Sequence, residues 1–327
     1  MLLTDMRADA IAGGPFLRVD GRVVRPALAG PGWFAFALPA MPAEVRLCAA
    51  RFRPADLRRA DRGTGQDVRQ LGFAVTWLRL VDSAGVRTLR PGDAVFGPGF
   101  HPAEAGLRWS DGDGVLSPVL FAGMAGPAML LVAGFGAEGP GAGLPSHRAV
   151  FLGGDSWPKD EHAARHLRRV IHPMLAEDAL SQADLNGDGP HMRDIAARVA
   201  GLAAAVGRDA GRTVLFGRSS GGRIATLFAR RHGAAAVVCL GYPFRAPGGP
   251  DEPERHAHLA DLRVPTLIVQ GRDDPYGGEV LARACARSPF IALHMVEGGH
   301  EFGMDEAAWQ AVGRRVQLFL AEHAGAG

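Results

Sequence analysis

The spacing of apolar positions changes character near residue 140. Upstream, short apolar runs predict strands over 16–24, 33–38, 44–52, 73–81, 107–109, 115–121 and 128–132. Turn signals such as Pro31-Gly32, Pro91-Gly92-Asp93 and Asp111-Gly112-Asp113-Gly114 punctuate them. Many short strands with no convincing helix imply an all-β, sandwich-like unit. Residues 134–143 have the Gly, Pro and Ala composition of a linker. Downstream, apolar strands at 149–152, 213–216, 235–240, 266–270 and 290–296 alternate with helical spacing at 161–175, 192–206, 221–231, 254–262, 278–286 and 306–323. That alternation implies a mainly parallel sheet covered by helices on both faces. The expected organisation is an all-β domain over 1–140 and an α/β domain over 145–327.

One turn in the second half carries chemistry. Gly217-Arg218-Ser219-Ser220-Gly221-Gly222 follows the apolar run 213–216 and opens a helix-like run. Strand, Gly-x-Ser-x-Gly, helix is the pattern of a nucleophile elbow, whose turn is so tight that only glycine fits two positions either side of the serine. Ser219 is the expected nucleophile. For Ser220 to take that part, Arg218 would occupy a position that needs glycine. Function in open parallel sheets collects at the carboxyl ends of strands, and two more residues lie there. Asp274 follows the strand at 266–270, with Asp273 as its neighbour and competitor, and His300 follows the strand at 290–296 after Gly298-Gly299. Serine needs a base to take its proton, histidine does so near neutral pH, and a carboxylate fixes the imidazole tautomer. The chain order Ser, acid, His is that of α/β-hydrolases.

An acyl-transfer oxyanion needs two N–H donors. The amide of Ser220 is one candidate. The other is expected from the loop Gly153-Gly154-Asp155-Ser156-Trp157, with Gly154 or Asp155 as donor. Arg218, Tyr242, Arg245 and Tyr276, with Arg272, are candidates for contacting substrate. Only 241–253 separates the strand ending at Leu240 from the next helix. So little lid leaves an open cleft and a short acyl group.

Composition adds exclusions. The 327 residues carry a formal charge of +2 and a single lysine, Lys159, so arginine supplies almost all the positive charge. No segment interleaves arginine with aromatics as a nucleic-acid groove would, and no run approaches the roughly 18 apolar residues of a membrane span. The first residues lack the apolar core of a signal peptide, so the expected address is cytoplasmic. Cys48, Cys239 and Cys285 show no metal-like spacing and read as free thiols of a reducing compartment. Asp184-Leu185-Asn186-Gly187-Asp188-Gly189 resembles half a calcium loop, but its twelfth position is Ile195, which cannot ligate. Neither a metal nor a cofactor is expected. Trp33, Trp77 and Trp109 fit core filling better than a sugar platform.

The downstream blocks Gly217–Arg223, 239–244, 262–271 with 274–277, and 297–300 resemble small α/β-hydrolases close to the dienelactone hydrolases. The resemblance implies the α/β-hydrolase fold and a Ser219, Asp274, His300 triad. The chain departs from that group at Phe151-Leu152-Gly153-Gly154-Asp155, where a His-Gly start is usual. The segments 51–56, 71–75, 99–104 and 108–113 more weakly resemble β-rich modules of polysaccharide-related bacterial proteins. The expected function is that of a serine esterase or deacetylase acting on a small-molecule acyl ester or an acylated glycan. An acyltransferase on the same triad and a silent hydrolase fold serving as scaffold remain open.

Overall fold

A computed structural model describes residues 14–30, 32–56, 67–137, 147–171 and 179–323. The chain divides into two compact units, Met1–Ser146 and His147–Gly327.

The first unit pairs two antiparallel sheets. One has the order β2-β1-β5-β9, from β1 (Phe16–Val19), β2 (Arg22–Val24), β5 (Val45–Cys48) and β9 (Asp113–Leu116). The other runs β3-β4-β10-β6-β7, from β3 (Leu28–Gly30), β4 (Trp33–Leu38), β6 (Ala74–Val81), β7 (Val86–Leu89) and β10 (Ala128–Phe135), with β8 (Arg108–Trp109) on β6. Period-2 alternation puts Leu17, Val45 and Leu47 of one sheet in one core with Phe34, Phe36, Leu78, Leu130 and Val132 of the other. The predicted strand over 16–24 is two strands, because Asp20 and Gly21 take positive φ (49° and 81°) and turn a tight hairpin. The short strands β3 and β7 escape the sequence pattern. Asp113 is not the turn residue its Asp-Gly context suggests: it pairs with Cys48 in register, and its carboxylate meets Arg46 at 2.8 Å. Gly134 and Phe135 extend β10, Gly136 and Ala137 follow it outside any strand, and 138–143 of the expected linker lie outside the described residues. Trp33 is buried, and Trp109 packs edge-on between Phe52 and Phe135, so both fill space rather than form a platform.

The second unit is a five-stranded parallel sheet in the order β11-β12-β13-β14-β15. Its strands are β11 (Arg148–Leu152), β12 (Thr213–Arg218), β13 (Ala236–Leu240), β14 (Thr266–Gly271) and β15 (Ile291–Val296). A bridge at Leu180 extends its outer edge beside Val150. The helices are α1 (Glu161–Ile171), α2 (Gln182–Asn186), α3 (Ile195–Val206), α4 (Ser220–His232), α5 (Pro253–His256), α6 (Glu279–Cys285) and α7 (Glu306–His323). Residues 172–175 of the first predicted helix lie outside the described residues. Helix α3 starts later than its pattern suggests, because the Asp194 carboxylate accepts the Ala197 N–H and sets the cap. The expected helix over 254–262 is one short turn followed by a 3-10 segment, Ala257–Asp261. Alternate residues of the central strands face opposite layers: Leu215, Val237, Cys239 and Ile268 pack with Ile224, Phe228 and Leu259, while α1 and α7 close on each other where Gly313 abuts Val170. Among the described residues, no helix is long and apolar enough to cross a membrane.

This second unit has the α/β-hydrolase fold. Asp184, first residue of the calcium-loop-like run, is spent on a capping box with Ser181.

Candidate active site

Strand β12 ends at Arg218 and helix α4 begins at Ser220, so Ser219 bridges them with φ 51° and ψ −121°. A non-glycine residue with such a φ is strained. The neighbouring backbone forces it. A Cβ on Gly217 would lie 2.5 Å from the Gly221 carbonyl group, and one on Gly221 would strike the Leu152 carbonyl oxygen. Ser219 Oγ is thereby presented at the helix N-terminus, where the first amides have no intrahelical acceptor.

His300 Nε2 lies 3.0 Å from Ser219 Oγ, and His300 Nδ1 lies 2.8 Å from Asp274 Oδ2. Both supporting residues are buried. Asp274 Oδ1 accepts the Tyr276 N–H at 2.8 Å, and Oδ2 also accepts from Gln270 Nε2 at 2.9 Å. Asp273 is exposed, so the structure brings Asp274, and not its neighbour, to the imidazole. Gln270 is fully buried at the end of an otherwise apolar strand; its Oε1 accepts the Tyr242 N–H, and its Nε2 also reaches the Gly277 carbonyl. Its one signal in the sequence is that of a polar residue closing the run Thr266-Leu267-Ile268-Val269.

The loop after β11 is held by side chains from four places. Gly153 N–H donates to Gln182 Oε1 (3.2 Å) and Gly153 O accepts from Arg198 (2.5 Å). Gly154 N–H donates to Asp160 Oδ2 (2.9 Å), while its carbonyl meets His191 Nε2 (2.9 Å). Gly154 therefore lies beside Ser219 as expected, but its N–H is engaged, which corrects its candidacy as an oxyanion donor. Asp155 also adjoins the elbow: its Oδ1 accepts the Ser220 hydroxyl at 2.6 Å, and Arg198 donates to the same hydroxyl at 3.1 Å. Ser220 is thus a second-row hydroxyl whose amide opens the helix. Gln182, Arg198 and Asp160 carry no sequence signal because none belongs to a local motif.

A cleft of about 280 Å³ is lined by residues that include Ser219, His300, Tyr276, Asp160, Arg218 and Arg223. The Tyr276 ring packs 4.2 Å from the His300 ring. The other candidates for substrate contact divide. Arg218 forms part of the floor rather than the rim: it is 4% exposed, with Nη1 3.0 Å from His300 Nε2 and Nη2 donating to the His300 carbonyl at 2.7 Å. Burial pushes its guanidinium below the ordinary arginine value, countered by Asp160, Glu301 and Asp274. Tyr242 is a core residue, fully buried, its hydroxyl donating to the Arg255 carbonyl. Arg245 and Arg272 are exposed and do not line the cleft, and Arg272 pairs with Glu279 and Glu297. The arginines that do line it beside Arg218 are Arg223 and Arg255, with Lys159. Their registers are invisible in sequence because they depend on how α4 and α5 meet the sheet.

Residues 187–317 match the family described as an alpha/beta hydrolase domain. Solved structures similar to the chain include three bacterial proteins. One, from Xanthomonas campestris pv. campestris and assigned to the α/β hydrolase superfamily, is 23% identical with a TM-score of 0.39, covering 54% of this chain and 98% of its own. The esterase domain of a Rhodothermus marinus protein is 19% identical with a TM-score of 0.40, covering 55% and 88%. Est1E from Butyrivibrio proteoclasticus is 14% identical with a TM-score of 0.42, covering 54% and 87%. No curated protein sequence matches the chain.

Proposed function

We propose that the chain is a serine hydrolase that cleaves small acyl esters through an acyl-enzyme on Ser219. The observation that carries this reading is the continuous relay Ser219 Oγ, His300 Nε2, His300 Nδ1, Asp274 Oδ2 at 3.0 and 2.8 Å beneath an open cleft. Arginine has only donors, so the approach of Arg218 to Nε2 favours the tautomer with the proton on Nδ1. In that tautomer Nδ1–H donates to Asp274 and the Nε2 lone pair accepts the Ser219 proton as Oγ attacks the ester carbonyl. The imidazolium then returns the proton to the departing alkoxide. Water, activated by the same nitrogen, releases the acid and restores Ser219. The Ser220 N–H and the Asp155 N–H are the proposed oxyanion donors, since that of Gly154 is taken.

The small, charge-lined cleft favours a short acyl group on a polar alcohol, such as a deacetylase substrate. It offers little to a long lipid chain. Cytoplasmic action on a small-molecule ester or acylated glycan, without cofactor, metal or nucleic acid, completes the reading. The test is intact-mass analysis after a fluorophosphonate probe. One adduct on the wild type that is absent from Ser219→Ala supports it, and an unlabelled folded wild type would turn attention to the scaffold reading.

A further inference from the structure

Of the carboxylates that line the cleft, Asp155 and Glu301 are exposed and Asp160 is buried, and the proposed triad chemistry does not use it. It is 7% exposed, and one of its two oxygens is spent: Oδ2 accepts the Gly154 N–H at 2.9 Å. The other, Oδ1, is buried without a hydrogen-bond partner among the described residues. A buried acceptor left unpaired is costly, so such an atom at a cleft calls for a donor from outside the fold. Its position relative to the nucleophile is tightly defined. A Cβ placed on Gly154 would lie 3.1 Å from Ser219 Cβ and would also strike Asp160 Oδ2, so the carboxylate and Ser219 flank the same point.

The charge around Asp160 narrows the donor. Arg218 and Arg198 both act on it electrostatically without reaching hydrogen-bond distance. Lys159, Arg223 and Arg255 line the same cleft. The carboxylate is therefore already compensated, and a substrate ammonium would enter a cleft whose four cations, Lys159, Arg218, Arg223 and Arg255, outnumber its carboxylates, Asp155, Asp160 and Glu301. A neutral hydroxyl satisfies the acceptor without that repulsion.

We infer that Asp160 is a specificity-determining residue that accepts a hydrogen bond from a free hydroxyl next to the scissile ester, so that the substrate is an acylated polyol or sugar. This rests on the hydrolase reading above. It deepens that reading by naming the alcohol side of the ester and the residue that recognises it. A site built around an unpaired buried acceptor discriminates against analogues that lack the donor.

The test compares two esters of similar size, glycerol 1-monoacetate with its free hydroxyls and propyl acetate without them, on the wild type and Asp160→Asn. In this variant the amide oxygen can keep the Gly154 N–H bond, while an NH2 donor replaces the free acceptor. We expect the wild type to favour the monoacetate in kcat/KM by about ten- to a hundredfold. Asp160→Asn should collapse or reverse that ratio while Ser219 is still labelled by a fluorophosphonate. A ratio near unity in the wild type overturns the inference whether or not the variant folds. So does a labelled wild type that cleaves neither ester, or a labelled variant that keeps the wild-type ratio. In each of those outcomes Ser219 labelling leaves the hydrolase reading standing. Absence of both labelling and hydrolysis removes the hydrolase reading itself, and the inference with it.

Discussion

Arg218 Nη1 and Ser219 Oγ approach the same atom, His300 Nε2, each at 3.0 Å. One lone pair therefore faces two donors. In the proposed reaction the imidazole, on taking the serine proton, becomes a cation in contact with a buried guanidinium. Like charges at about 4 Å interact by about 4 kcal/mol at an effective dielectric near 20, an opposition that Asp160, Glu301 and Asp274 partly offset. Replacing Arg218 with methionine keeps the apolar stem and removes the competing donor. The expected outcome is several-fold faster labelling of Ser219 by a fluorophosphonate, read from the pseudo-first-order rate. Slower labelling would mean that the bond from Arg218 to the His300 carbonyl matters more than the competition for Nε2.

Asp274 and Asp273 are adjacent in sequence and opposite in setting. Asp274→Asn replaces an acceptor at Nδ1 with an amide that can hold the wrong tautomer. A fall in kcat of about 10³–10⁴-fold is expected, with little change in melting temperature. Asp273→Asn, on the exposed side of the turn, should leave kcat within twofold. Equal losses in the two variants would contradict the assignment of the acid.

Gly221→Ala tests the elbow sterically. The added methyl meets the carbonyl oxygens of Leu152 and Gly153, and backbone cannot yield as a side-chain tip can. A cost of roughly 1–3 kcal/mol is expected, or about 2–4 °C in Tm for each kcal/mol in a unit of this size. Ser219 labelling should fall as well, because the same carbonyls belong to the loop that adjoins the nucleophile. A variant with wild-type Tm and labelling would show that the loop adapts freely.

His258 gives the fold a pH dependence. Burial, then Arg223, Arg230 and His256, push its imidazole down to about 4 from 6.5, and its Nε2 lies 2.9 Å from the Thr226 hydroxyl oxygen. The folded protein thus keeps it neutral where the unfolded chain would protonate it. Its contribution is present in full above about pH 6.5 and is lost as pH falls toward 4, a loss of about 3 kcal/mol. Urea midpoints between pH 7 and 4 should decline more steeply for the wild type than for His258→Gln, and parallel slopes would remove His258 as the cause.

Much of the site's scaffold was legible because its signals are local. Strong β-formers bounded by Gly and Asp marked β12 and β14, and the spacing of Gly217 and Gly221 around Ser219 encodes a steric requirement of a single turn. Asp274 and His300 could be nominated because strand ends are local events too. Element boundaries were less legible where a cap decided them, as Asp194 does for α3. The strands β3 and β7, three and four residues long, are too short to establish an alternation. Tyr242, Arg245 and Arg272 lie away from the cleft lining for one reason: proximity in sequence to a strand end does not say which way a side chain turns.

The sequence by itself therefore determined the alternation of elements, the elbow and the order of three residues with complementary chemistry, since each follows from backbone sterics or periodicity within a dozen residues. Only the tertiary structure decided which groups surround them. Gln270 supports Asp274 across a loop. Arg198 and Gln182, 16 residues apart, meet at the Gly153 loop. Asp160 takes the Gly154 N–H and leaves one oxygen unpaired. These arrangements depend on helices packing onto the sheet in a particular register, and the free energy that selects that register comes from burying apolar faces along the whole domain rather than from any motif.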